Sequence, residues 1–228
     1  MKNSNSFRRG VFGLAVAGLA STALMSSNSF AFHDEHGDEV KQDRELETFT
    51  RIKVKGGIEL HLVAGKDQKV SIETVEDRIA DVETYVRNDT LVIDMPKHGK
   101  RNYWNNVEVT VDISMKSLEG IEVLGAVDAD VRGIDSEYLE IEIKGAADLD
   151  IEGSCGELEL DVKGAGDISA SDLKCKSVDV DVKGAGSASV YASEKVEADV
   201  AGVASIKVFG KPKTVRKHVG GLGSISIR

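Results

Sequence analysis

Six short stretches in the second half of the chain open on a glycine and recur at nearly constant spacing. They are Gly125-Ala-Val-Asp128, Gly145-Ala-Ala-Asp148, Gly164-Ala-Gly-Asp167, Gly184-Ala-Gly-Ser187, Gly202-Val-Ala-Ser205 and Gly221-Leu-Gly-Ser224, at intervals of 20, 19, 20, 18 and 19 residues. Each glycine follows an alternating run such as Leu139-Glu-Ile-Glu-Ile143 or Val178-Asp-Val-Asp-Val182. A second apolar pair, such as Leu149/Ile151 or Ile168/Ala170, comes after it. Alternation is the β period. A unit this short cannot bury its apolar side alone, whereas stacked copies can. The fold expected is therefore all-β, a parallel β-helix or solenoid with coils of 18–20 residues. Its glycines would sit at corners where φ is positive or neighbouring coils approach closely. Cys155 and Cys175 each precede a corner glycine by nine residues, so they fall at matching positions of adjacent coils. Strand neighbours at that spacing are within disulfide reach, and a Cys155–Cys175 bond is expected.

The first half is less regular. Phe49/Ile52/Val54, Ile58/Leu60/Leu62 and Val70/Ile72 predict three short strands joined by Gly56-Gly57 and Gly65-Lys-Asp67. Residues 75–81 read as a turn or short helix. Val82–Arg87 and Leu91–Met95 predict a hairpin around Asn88-Asp89, and Val107–Ile113 another strand.

Ahead of these elements, Lys2, Arg8 and Arg9 precede the apolar run Val11–Met25, and small residues stand at Ser29 and Ala31. That order is a secretory signal over 1–31, too short to span a bilayer. Export to the periplasm, outer surface or exterior follows, in an oxidising compartment. Residues 32–46 (FHDEHGDEVKQDREL) show no apolar period and read as a disordered acidic arm. Residues 47–228 then form a single domain, with 47–113 less regular and 114–228 holding the regular coils. The chain carries a formal charge of −10. Removing the three basic leader residues leaves 26 basic against 39 acidic side chains. That excess argues against nucleic acid and anionic lipid as partners.

Several stretches together resemble one family: Phe49-Thr-Arg-Ile-Lys-Val-Lys-Gly-Gly-Ile-Glu-Leu-His-Leu-Val-Ala-Gly65, Asn88-Asp-Thr-Leu-Val-Ile93, the serial Gly-Ala-Gly-Asp/Ser corners, and Phe209-Gly-Lys-Pro212 before Gly220-Gly-Leu-Gly-Ser224. The chain is similar over about 47–228 to the GIN-type head domain, labelled an autotransporter adhesin head and otherwise a domain of unknown function. The resemblance implies an exported bacterial β-solenoid and brings no catalytic residues with it.

Stacking would turn the repeated acids into rows. Asp128, Asp148 and Asp167 at the corners, and Asp161 and Asp181 on the strands, are the candidate metal ligands, with Ca²⁺ the ion such oxygens suit. Lys144, Lys163 and Lys183 run beside the strand acids. The plainer reading is a solvated charged face that resists edge aggregation, with no cofactor at all. A second candidate is the basic, aromatic loop Pro96–Asn106, in which Arg101, Tyr103, Trp104 and Asn105 could stack on and hydrogen-bond a sugar or anionic polymer. Against that, Trp104 could equally cover an open end of the core. No Ser/His/Asp order, P-loop, His-Glu-x-x-His or Cys-x-x-Cys is present. The function expected is a noncatalytic binding or adhesion-type module at the bacterial envelope, with a surface glycan or envelope protein as partner. A β-helix polysaccharide lyase and a self-assembling structural protein are the rivals.

Overall fold

The first strand laid down after residue 50 ends up inside the sheet, not at its edge. The computed structural model describes residues 38–95 and 107–228. The expected leader over 1–31, and Arg101, Tyr103, Trp104 and Asn105, lie outside the described residues. The strands are β1 (Glu39–Arg44), β2 (Arg51–Lys55), β3 (Gly57–Ala64), β4 (Lys69–Val75), β5 (Glu83–Arg87), β6 (Thr90–Asp94), β7 (Thr110–Met115), β8 (Gly120–Val123), β9 (Ala126–Ile143), β10 (Ala146–Phe209), β11 (Thr214–Gly221) and β12 (Ser224–Ile227), with one 3₁₀ turn at Ile79–Asp81. β10 is an extended run of 64 residues that folds back on itself, since its own residues Gly164 and Gly184 are in contact.

All twelve strands share one sheet, in the order β1-β4-β7-β3-β9-β8-β2-β6-β5, with β10 against β9 and both β11 and β12 against β10. β2 lies between β6 and β8, and β3 between β7 and β9, all parallel. The chain therefore builds outward from β2 and β3 in one direction, then returns through β8 to build in the other. β1 with β4, β4 with β7, and β5 with β6 are antiparallel.

This corrects the expected parallel β-helix. The molecule is all-β, but its strands are mixed and form a nearly closed, barrel-like sheet. The physical reason is that the regular glycine spacing begins only at Gly125. The earlier segments lack it and pair by hairpins and out-of-sequence insertions. What the spacing located was local contact: β9 and β10 run parallel in register, Ala126 against Ala146 and Asp128 against Asp148. A Cβ added at Gly125, Gly145 or Gly164 would lie 2.0 Å from the carbonyl oxygen of Gly56, Gly125 or Gly145 respectively. Close backbone approach, not positive φ, is what requires glycine there. Cys155 and Cys175 are disulfide-bonded, with Cα atoms 4.4 Å apart.

The arm read as disordered also needs correction, because Glu39–Arg44 is β1. Its alternation is of charges: Lys41 reaches Glu73 at 3.3 Å and Asp112 at 2.5 Å, and Lys69 reaches Asp43 at 3.0 Å. A backbone ladder plus matched charges holds a strand that carries no apolar stripe. The Asp112 carboxylate, and Glu73 after it, hold the Lys41 ammonium above its ordinary pKa. The predicted hairpin is present, with Asn88 and Asp89 both at positive φ, as a tight primed turn requires.

The core is built of small aliphatics. Val54, Leu60, Ile72, Ile93, Val111, Leu139, Ile143, Leu149, Val180 and Val200 are fully buried, and Phe49 is the one aromatic among the buried described residues. Each such Val, Leu or Ile contributes about 1.5–3 kcal/mol by leaving water. Strand alternation then sends the charges outward, which creates the rows considered next.

Candidate functional site

The corner stacking places one carboxylate per unit on a single line. Asp128 is in register with Glu59 on one side and Asp148 on the other. Asp167 is next in the line and accepts a 2.6 Å hydrogen bond from Ser187 Oγ. Alanines at 126, 146 and 147 keep the surface beside the line low. The result is an open cleft of about 600 Å³, lined by Glu59, Glu108, Asp128, Asp148 and Asp167 over a floor of Ile58, Val109, Val127 and Ala147. Glu59 Oε2 accepts from Thr110 Oγ1 at 3.4 Å, and Glu59 Oε1 lies 3.4 Å from His61 Nε2. Thr74 Oγ1 donates to the Glu108 carbonyl at 2.7 Å, which fixes the backbone at the cleft rim.

Among the described residues no lysine or arginine lines this cleft, and two of its acids are raised. Glu108 is pushed above its ordinary pKa first by its hydrogen bond with Glu59, then by that neighbour's charge. Asp148 is pushed up first by desolvation, then by Asp128, Asp167 and Asp150. Carboxylates in this state favour the proton, or a ligand bringing hydroxyl, amide or cationic donors.

The sequence candidates divide between two places. Asp128, Asp148 and Asp167 come together in the cleft. Asp161 and Asp181 do not join them. They belong to a strand row in which Asp161 faces Glu142 and Glu142 faces Glu122. Asp161 is ion-paired to Lys163 and Asp181 to Lys183, so both are already neutralised. Lys144 adds contacts to Glu142 at 2.7 Å and Glu122 at 3.8 Å, and Lys53 reaches Glu122 at 2.7 Å. Among the described residues no three His, Cys, Asp or Glu side chains converge closely enough to hold a metal ion. Nor is any helix among them long and apolar enough to cross a membrane.

Sequence reasoning missed Glu59 and Glu108. A signal existed for the first: Gly56-Gly-Ile-Glu59 repeats the glycine-to-acid offset of Gly125-Ala-Val-Asp128, and Gly56 is the residue on which Gly125 stacks. It was hidden because 69 residues separate the two glycines, not 18–20. Nothing in the sequence points to Glu108, which depends on where β7 enters the sheet.

Comparison with known proteins bears on the fold and the family. The sequence profile of a family described as "Putative auto-transporter adhesin, head GIN domain" matches residues 48–212. Two crystal structures of proteins bearing the same provisional adhesin label share the fold. One, from Bacteroides fragilis, superposes with a TM-score of 0.67 at 24% identity, covering 84% of this chain and 97% of that one. The other, from Parabacteroides merdae, gives 0.52 at 15% identity, with the same coverage of 84% and 97%. Comparison with curated protein sequences returns no match.

Proposed function

The chain belongs to the GIN head-domain family, and on that premise we propose that it is an exported, noncatalytic, adhesion-type module of the bacterial cell envelope that works without a resident cofactor. Its ligand is a surface glycan or envelope protein, seated in the cleft of Glu59, Glu108, Asp128, Asp148 and Asp167. The observation that carries this reading is the contrast in compensation. The strand acids Glu122, Glu142, Asp161 and Asp181 have lysine partners, whereas the corner acids face an open cleft with none among the described residues. Carboxylates without a lysine or arginine partner among the described residues, over an apolar floor, suit a ligand that presents donors and an apolar face together, as sugars and peptides do.

Purified mature chain, titrated against a panel of envelope glycans and against outer-membrane protein fractions, tests this. Saturable binding is expected, weakened in Asp148→Asn/Asp167→Asn and unchanged in Asp181→Asn. Release of unsaturated sugar from acidic polysaccharide, abolished by Lys163→Ala, would replace the binding reading with a lyase. Heat uptake on calcium titration in the absence of any ligand would overturn the cofactor-free part. A concentration-dependent series of large assemblies in size exclusion, with no ligand bound, would favour the structural rival.

A further inference from the structure

β11 and β12 form a sheet edge unlike the rest of the described residues. β11 and β12 are each hydrogen-bonded on one side only, both to β10. Their free edges present unpaired backbone N–H and C=O groups. The apolar side chains that would continue the core are uncovered there. Val215 is 41% exposed and Val219 42%, while Val196 and Val200, their register partners one strand inward, are fully buried. Leu222 is 86% exposed.

The charge of this edge is reversed. Residues 207–228 contain Lys207, Lys211, Lys213, Arg216, Lys217 and Arg228 and no Asp or Glu, in a chain of net charge −10. Among the described residues only Arg216 of these six is ion-paired, to Glu197 at 3.7 Å. On β11 the outward row holds Arg216 and His218, above Glu197 and Asp199, while Val215, Lys217 and Val219 lie on the inward row.

We propose that this edge is a docking site for an extended, acidic segment of a partner protein, added as one more strand beside β11. Main-chain hydrogen bonds would supply affinity, alternate apolar side chains would cover Val215 and Val219, and acidic side chains on the other face would meet Arg216 and His218 within the basic field of this edge. Charge complementarity selects this occupant. Basic edges deter self-pairing, and a second copy offering the same edge would set six cations against six. The site is remote from the acidic cleft in sequence and opposite in charge, so it does not rest on the function proposed for that cleft.

The probe is a labelled peptide alternating Glu and Val, as long as the eight residues of β11, titrated into the full mature chain by fluorescence anisotropy. Saturable binding that weakens with salt is expected, lost when alternate residues are proline, since proline removes the donors a strand needs. Arg216→Glu/Lys217→Glu should weaken it by about tenfold or more, and Asp148→Asn should leave it unchanged. Lys213→Glu/Arg228→Glu gives a second charge reversal that replaces no core residue, and it should weaken binding in the same direction. Equal binding of the proline peptide would overturn the proposal in favour of plain charge attraction. Absence of saturable binding would also overturn it, as would a self-associated wild-type chain dispersed by Arg216→Glu/Lys217→Glu.

Discussion

One strand register produces two acid lines of opposite character. Glu122, Glu142 and Asp161 stack on the strands, and Glu59, Asp128 and Asp148 stack at the corners. Geometry alone would make both repulsive. On the strands the sequence places a lysine two residues after the acid at Lys144, Lys163 and Lys183, on the same face of the chain, and each folds back onto its row. At the corners the position two residues after the acid is His61, Asp130, Asp150 or Ser169, so no lysine or arginine stands there. The stacking is structural, but whether its charge is compensated is a local choice. The corner line is where that choice leaves groups free for a ligand.

Both lines depend on the glycine contacts beneath them, so the largest effect should come from there. Gly164→Ala puts a methyl group 2.0 Å from the Gly145 carbonyl oxygen. Backbone must move, and a loss of about 3 kcal/mol or more is expected, read by chemical denaturation. Next is the clamp between neighbouring units. Replacing both Cys155 and Cys175 by alanine releases a cross-link spanning 20 residues, with an expected loss of about 3 kcal/mol in the oxidised protein and, once the wild type is fully reduced, only the smaller loss from truncating two buried side chains. Smaller still, and opposite in sign, are the charge variants. Asp148→Asn relieves repulsion in the cleft and should raise Tm, while Asp161→Asn leaves Lys163 with only Glu142, at 3.6 Å, and should lower it. Shifts in the same direction would mean that the two lines are not differently compensated.

Which residues touch was more legible in the sequence than the shape that holds them. The spacing of Gly125, Gly145 and Gly164, and of Cys155 and Cys175, marked contacts that the structure contains. Those contacts are local parallel pairings, and several architectures accommodate them. The mixed sheet is decided by β4 to β7, whose pairing partners follow from chain reversal and long-range insertion and leave no period to read. β1 was illegible for a different cause: its stabilising pattern is ionic and cross-strand, so hydropathy is silent. In the cleft, the three aspartates were legible because they repeat with the glycines. Glu108 was not, because it lies just ahead of β7, outside the repeat.

The finest test of the contrast is the order in which the acids take up protons. Asp148 and Glu108 are held above their ordinary values of 3.8 and 4.5, whereas Glu142 is held below 4.5, chiefly by its hydrogen bond with Lys144. A carboxyl raised in the folded state binds its proton more tightly there than in the unfolded chain. Its contribution to stability therefore improves as pH falls through the raised value, and is complete below the ordinary one. Glu142 acts in the opposite sense: its contribution is present above its ordinary value and lost as pH falls through the lowered one. Carboxyl chemical shifts followed by NMR should accordingly show Glu108 titrating before Glu142 as acid is added, two glutamates moved in opposite directions from the same ordinary value. Stability should rise slightly in mild acid before the strand row fails at lower pH. In Asp148→Asn the rise should shrink while the later loss remains, because the variant removes one of the protonations that relax the cleft and leaves the lysine-paired row untouched.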